Sequence, residues 1–563
     1  MGSRSNDVEE LDALVVGAGF GGVYQLKRLR DLGFNTKLLE SGSDYGGVWY
    51  WNRYPGARVD SSIPHYEFDD PALWSTWTWK QRFPDHCELR AYFSHVAKVW
   101  DLEKDTQFNT FVESASWDDS ECLWTIHTRE GMCYKARYLL LNTGFAAKRY
   151  IPDWNGIETF KGTFIHPSYW PQDGLDLKGK RVAVVGTGST GVQLATELSP
   201  IVGELAIFQR TPNTALPMRQ VDYKDGEQAI GREAYPDLFK GRPLSFSGFS
   251  FSPVCRNTFD DSPERRQAFY ETLWKEGDFK FWLANYQDLL SVKAANDEAY
   301  AFWREKTRAR IQDSRVRDLL APMAAPYSFG CKRISLEQGY FEIFNEPHVH
   351  LVDVNSTPVE AITEKGIRTS EKEWEFDYII CATGFDSITG GLKQINVKST
   401  SGELLAEYWG NGTRTYLGMA VSGFPNLFFT YGPQGPTALC NGPTVSNPPD
   451  TIFTMSVASA LNMAATPLDC AQMQGDWVVG LISRMKEAGE RKVFVEKTYE
   501  EEWQQTILKV ASMTLVPGTK SWYMGDNIPG KKREPLIYLG GVPNYYATLN
   551  EVAANGYPGF AFE

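Results

Sequence analysis

The sequence predicts an α/β fold built on two parallel-sheet units, and three observations carry that expectation. A glycine loop, GAGFGG with Gly17, Gly19 and Gly22, follows an apolar β-like run (DALVVG, residues 12–17) and precedes a helix-like run. A second loop, GTGSTG with Gly186, Gly188 and Gly191, repeats that order after RVAVVG (181–186). Each unit then continues into another apolar strand, the pattern of a parallel sheet wound with helices. One such loop is a weak signal. Two, each set between strand and helix, imply two Rossmann-like dinucleotide-binding domains on one polypeptide.

In the first unit, residues 12–17 read as a buried strand, 21–32 as a helix and 36–40 (TKLLE) as the next strand. Gly17 allows the tight turn, Gly19 lets the backbone approach a pyrophosphate, and Gly22 lets helix and strand pack closely. The helix N-terminus turns its positive dipole end to the phosphates. Glu40 ends the second strand, where an acid binds ribose hydroxyls, so a nucleotide with an unphosphorylated ribose is expected, and FAD is the natural choice. In the second unit the loop Gly186, Thr187, Gly188, Ser189, Thr190 and Gly191 leads into a helix over 189–199 and a strand over 205–209. That strand ends in Arg210. A guanidinium binds a 2′-phosphate with paired charge-assisted hydrogen bonds, so this site is expected to prefer NADPH to NADH, with Thr211 adding a hydroxyl.

Composition bounds the rest. The chain has 563 residues, too many for one ordinary core, and 42% hydrophobic content is enough for several. Its net charge of −13 comes without a basic stripe or tail, which argues against a nucleic-acid partner. The eight cysteines are scattered with no C-x-x-C pair, which suits reduced thiols in the cytoplasm better than a zinc site or disulfide framework; no metal is expected. The missing vicinal pair also weighs against a disulfide reductase. The N-terminal MGSRSNDVEELDA is polar and acidic, unlike a secretory signal, and no apolar run is long enough to span a bilayer. Residues 213–325 break the strand–helix rhythm and read as a helical insertion whose aromatic residues belong mainly to its core.

Between the two loops lies FKGTFIHPSYWP. Its Phe160, Gly162, His166 and Trp170, followed by Pro171, form F-x-G-x-x-x-H-x-x-x-W. This resembles the fingerprint of type I Baeyer–Villiger monooxygenases, and the resemblance runs from about residue 10 to the C-terminus, weakest over 213–325. It implies an enzyme that uses FAD, NADPH and O2 to convert small-molecule ketones, cyclic or bulky ones here, to esters or lactones through a C4a-peroxyflavin and a tetrahedral Criegee-type adduct. It implies an FAD-binding domain over 1–148 completed by 384–563, and an NADP-binding domain over 149–383 that holds the insertion. It also implies a loop near 515–535 that covers NADP through Trp522. In the family, His166 and the Ala382-Thr383-Gly384 segment belong to linkers that couple domain movement, so His166 is expected to act there and not in proton transfer.

The chemistry so implied develops negative charge on oxygen, and needs a fixed cation in a site that excludes water. By resemblance that cation is Arg333, in FGCKRISLEQGYFE, and arginine suits the task because it keeps its charge at neutral pH. Lys332 is expected to join Arg210 at the 2′-phosphate. The segment YPGARVD (54–60) resembles the family's active-site loop, which makes Asp60 the carboxylate that orients Arg333, while Arg58 is structural or beside the flavin. GGVW places Gly46, Gly47, Val48 and Trp49 against the flavin, with Tyr66 nearby; Val48 stands where relatives more often carry Thr and removes one hydroxyl. Two other readings compete: a class B flavin monooxygenase acting on nitrogen or sulfur, which has less use for Arg333 and Asp60, and a flavin-binding redox sensor without turnover. A monomer or weak homo-oligomer is expected.

Overall fold

A computed structural model describes residues 8–224, 227, 230–437 and 470–563. The first seven residues, Cys440 and the side chain of Cys470 lie outside the described residues.

Two sheets organise the chain. In the first, the strand Glu9–Val16 lies between Thr36–Leu39 and Cys133–Leu141, parallel to both, with Val16 opposite Leu39 on one side and Leu141 on the other. Ala13, Leu14 and Val15 are fully buried, since helices or loops cover both sheet faces; that is why the strand reads as an unbroken apolar run. Beyond Cys133–Leu141 the sheet continues through the antiparallel strands Leu123–Thr128 and Val112–Asp118. Leu427–Phe429, far along the chain, pairs in parallel with Leu139–Leu141. The second sheet has five strands, all parallel, in the order Val349–Asp353, Glu204–Gln209, Arg181–Val185, Tyr378–Cys381 and Thr163–Ile165.

In each sheet the strand before the glycine loop is central, and the chain moves to opposite sides of it. That is a topological switch point, where the crevice for a ligand opens beyond the carboxyl ends of the strands. The helices that leave the loops are Phe20–Asp31 and Ser189–Leu198, within a residue or so of the spans read from the sequence.

The region 213–325 contains the helices Tyr235–Gly241, Pro263–Glu276, Lys280–Leu283, Lys293–Arg308 and Ser314–Leu320. Tyr270, Trp274, Phe281, Trp282 and Trp303 are buried among one another, an aromatic core as expected. The segments that run between the two sheets lie side by side: Tyr150 N–H donates to Gly384 O at 2.9 Å, and Thr383 Oγ1 donates to Tyr150 O at 2.5 Å. Among the described residues no helix is long and apolar enough to cross a membrane, and no cluster of side chains could hold a metal.

Candidate active site

Both loops fit a dinucleotide. A Cβ on Gly22 would lie 1.7 Å from Gly17 O, and one on Gly191 2.0 Å from Gly186 O, so only glycine lets each helix sit this close to its strand. Gly19 and Gly188 cap their helices with no side-chain hydrogen bond, leaving the first N–H groups directed at the crevice. Around Gly188 a Cβ would meet nothing within 4 Å, so this part of the loop borders open space. Glu40 is buried at the end of its strand. Its carboxylate accepts from Ala18 N at 2.7 Å and Gly42 N at 2.6 Å, which fixes it beside the first loop.

Asp60 and Arg333, 273 residues apart, meet in a two-point ion pair: Nη2 to Oδ1 at 2.8 Å and Nε to Oδ2 at 3.2 Å. The Arg333 and Asp60 side chains are 20% and 26% exposed, so the pair is largely sheltered yet reachable. Burial disfavours the charge on Arg333, but the Asp60 carboxylate outweighs burial and holds the guanidinium above its ordinary pKa. The ring of Phe279 packs 4.9 Å from the guanidinium carbon.

Both sides of this pair rest on the second nucleotide unit. The loop that carries Asp60 leans on the second unit's helix: Tyr54 OH donates to Gln193 Oε1 at 2.8 Å, and Gln193 Nε2 donates to Arg58 O at 3.0 Å. Two residues past Arg333, the Ser335 hydroxyl shares a 3.0 Å hydrogen bond with Ser189 and accepts from Asn213 Nδ2 at 2.7 Å, while Asn213 also donates to Thr187 O. Gln193, Ser335, Asn213 and Phe279 were not legible as site residues, because polar or aromatic residues in undistinguished context carry no local signal. Arg58 binds Phe83 O at 3.2 Å, a structural tie.

Near the first loop, Trp49 Nε1 donates to Tyr66 OH at 3.0 Å with the rings edge to face. Val48, at the start of the helix Val48–Trp51, is 40% exposed. At the other end Arg210 is exposed just past the strand Glu204–Gln209, and Thr187 Oγ1 donates to Thr211 O. Burial, and then the Arg210 charge, pull Lys332 down to about 8. Two cations placed close enough to oppose each other suit an anion between them.

Trp522 lies over Phe145, rings near-parallel with centroids 5.6 Å apart, and its neighbour Tyr523 is fully buried. This loop is anchored to the linker: Asn527 Nδ2 donates to Phe385 O at 2.7 Å and Lys531 Nζ to Asp386 Oδ1 at 2.8 Å. His166 is buried; its Nδ1 accepts from Ser168 N, which leaves Nε2 to donate to Gly384 O at 3.0 Å. Burial lowers its pKa to about 4, so the ring is neutral at physiological pH. Gly162 lies against Phe160 and Asp377 O, and Trp170 is buried. The fingerprint thus packs on the 382–384 segment and stands away from the Asp60–Arg333 pair in its bonding.

Two dinucleotide loops at switch points, joined by a sheltered cation clamp, define a flavin-dependent monooxygenase that also takes a nicotinamide nucleotide. A family model described as flavin-binding monooxygenase-like matches residues 12–221. The cyclopentanone 1,2-monooxygenase of Comamonas sp. is 43% identical over 561 residues, covering 100% of this chain and 98% of that protein. The closed crystal structure of a cyclohexanone monooxygenase superposes with a TM-score of 0.91 at 33% identity over 99% of both chains. A crystal structure of OTEMO in complex with FAD and NADP gives 0.90 at 32% identity, covering 99% of this chain and 100% of that one. The chain belongs to the Baeyer–Villiger monooxygenase family. Members of that family are flavin-dependent oxidoreductases, and the solved relative above carries FAD and NADP.

Proposed function

We propose that the chain converts cyclic or bulky ketones to lactones or esters, with Arg333 and Asp60 as its catalytic pair. In the overall reaction ketone, NADPH, H⁺ and O2 give ester, NADP⁺ and water; one oxygen atom enters between the carbonyl carbon and its neighbour. FAD, when bound and reduced, supplies the oxygen-transfer chemistry. Gly17, Gly19, Gly22 and Glu40 would hold its adenosine and pyrophosphate, and Gly47, Val48, Trp49 and Tyr66 would line its ring. Gly186 through Gly191, Arg210, Thr211 and Lys332 would hold NADPH, with Trp522 covering it.

The observation that carries this reading is the two-point Asp60–Arg333 pair at the junction of the two units. The guanidinium stabilises negative charge that develops on the substrate's carbonyl oxygen. Asp60 fixes the guanidinium plane, so little reorganisation is needed when that charge appears. The shelter around the pair keeps water from screening it. The expected domain plan, with 1–148 and 384–563 forming the FAD domain and 149–383 the NADP domain, draws support from the pairing of Leu427–Phe429 with the first sheet. The chain is proposed to act in the cytoplasm, as a monomer or weak homo-oligomer, on free small molecules; a net charge of −13 supports the absence of a nucleic-acid partner. The test is NADPH consumption by the purified yellow protein under air with cyclopentanone or cyclohexanone, products read by gas chromatography. Lactone matching the NADPH consumed supports the proposal; thioether oxidation without lactone from any cyclic ketone supports the nitrogen- and sulfur-oxidising reading instead.

A further inference from the structure

We infer that Asp278, in the helical insertion, is a positioning residue for Arg333, because its buried carboxylate ties together the two segments that clamp the guanidinium. The inference rests on the ketone-oxygenating reading above. Asp278 is 1% exposed. Its Oδ1 accepts from the backbone N–H of Phe279 at 2.7 Å, and Phe279 is the ring that packs on the Arg333 guanidinium. Its Oδ2 accepts from Ser62 Oγ at 2.8 Å, and Ser62 stands two residues past Asp60, the other partner of Arg333. Arg82 Nη2 lies 3.4 Å from the same oxygen and balances its charge. One carboxylate therefore bridges the Asp60 loop and the Phe279 ring from behind.

Asp278 has φ of +60° and Gly277, directly before it, +69°; aspartate adopts this left-handed backbone more readily than most residues with a Cβ. From this turn its carboxylate reaches Phe279 N–H and Ser62 Oγ, on the two sides of the arginine. The insertion, otherwise an aromatic core, thereby reaches the reacting centre.

Asp278→Gly keeps the left-handed backbone without strain and removes the carboxylate. In that variant FAD occupancy and the anaerobic rate of flavin reduction by NADPH are expected to stay within about twofold of wild type. Ester formed per NADPH consumed is expected to fall by about tenfold, with hydrogen peroxide making up the difference, since a shift of a positioned group by a fraction of an ångström costs about that much. Ser62→Ala, which cuts the same tie from the other end, should reproduce the loss in part. Asp278→Asn, which keeps an acceptor for Phe279 N, should restore most of the coupling. Unchanged coupling in Asp278→Gly, or a parallel fall of FAD occupancy, reduction rate and coupling, would overturn the inference. Wild-type protein assayed alongside separates the two readings: no ester from wild type defeats the ketone reaction itself, whereas ester from wild type with unaltered coupling in Asp278→Gly defeats only the role of Asp278.

Discussion

The two glycine loops share a fold and differ in how they are enclosed. At the first, Gly47 crowds Gly19 so closely that a Cβ on Gly47 would lie 2.7 Å from Gly19 Cα, and the acid at the strand end, Glu40, is buried and held by two backbone N–H groups. At the second, Gly188 borders open space, and the strand ends in an exposed Arg210 with Lys332 set against it. The first is enclosed around a fixed acid; the second is open on one side and charged. The two sites share one local motif, and the difference between them lies in residues outside it.

The largest expected effect is at the enclosed loop. Gly22→Ala would drive a methyl into Gly17 O and should yield no folded, flavin-loaded protein, read as loss of yellow soluble product. Arg333→Ala should spare both loops, leaving FAD bound and reducible by NADPH, while ester formation falls by about 10²–10³-fold; loss of flavin reduction as well would mean the arginine serves a loop rather than the reaction. Arg210→Ala should lower the preference for NADPH over NADH by about tenfold or more, chiefly through KM, with no change in FAD content. Gly188→Ala should fold and hold FAD but raise the KM for NADPH by several-fold, since its methyl meets no protein atom within 4 Å and enters the space proposed for the phosphates. Gly47→Ala, whose methyl would meet Gly19 at the crowded first loop, should instead lower FAD occupancy; if it spared FAD as Gly188→Ala does, the contrast between the loops would fail.

Much of this was legible in the sequence for a physical reason. Both strand–loop–helix units announce themselves because glycine spacing, apolar runs and helix N-termini lie within about thirty residues, and one strand end differs from the other by a single visible charge. The helices begin and end within a residue or two of the spans read from that pattern. The pairing of Asp60 with Arg333 could be proposed only through resemblance, since 273 residues separate them and nothing local links a carboxylate to a guanidinium at that distance. The Ser62–Asp278 tie lay beyond reach altogether: 216 residues apart, inside a region whose aromatic pattern reads as core, and dependent on a left-handed backbone that composition does not betray. Ser335 and Gln193 are likewise ordinary residues made significant by what the fold sets beside them.

Two smaller effects depend on pH. Lys332, lowered to about 8 in the free protein, loses its charge as pH rises through that value, so the KM for NADPH should climb between pH 8 and 10 while that for NADH stays level; Lys332→Ala should remove the difference. His166 is neutral and buried, with a folded pKa of about 4 below its ordinary value of 6.5. The unfolded chain therefore takes up the proton first, so the stability this residue contributes is complete above pH 6.5 and declines as pH falls toward 4. His166→Gln should flatten that part of a thermal-melt profile and leave the pH dependence of turnover between 6.5 and 8 untouched.

The central claim is that an oxygen atom from O2 enters a ketone beside its carbonyl, in a site held by Arg333 and Asp60. The most direct measurement is turnover of a cyclic ketone with NADPH under ¹⁸O2, with the label located in the product by mass spectrometry. One ¹⁸O in the ring oxygen of the lactone, none in its carbonyl, and one NADPH consumed per lactone is the predicted result. NADPH oxidation that yields only labelled hydrogen peroxide with every cyclic ketone tried would contradict it.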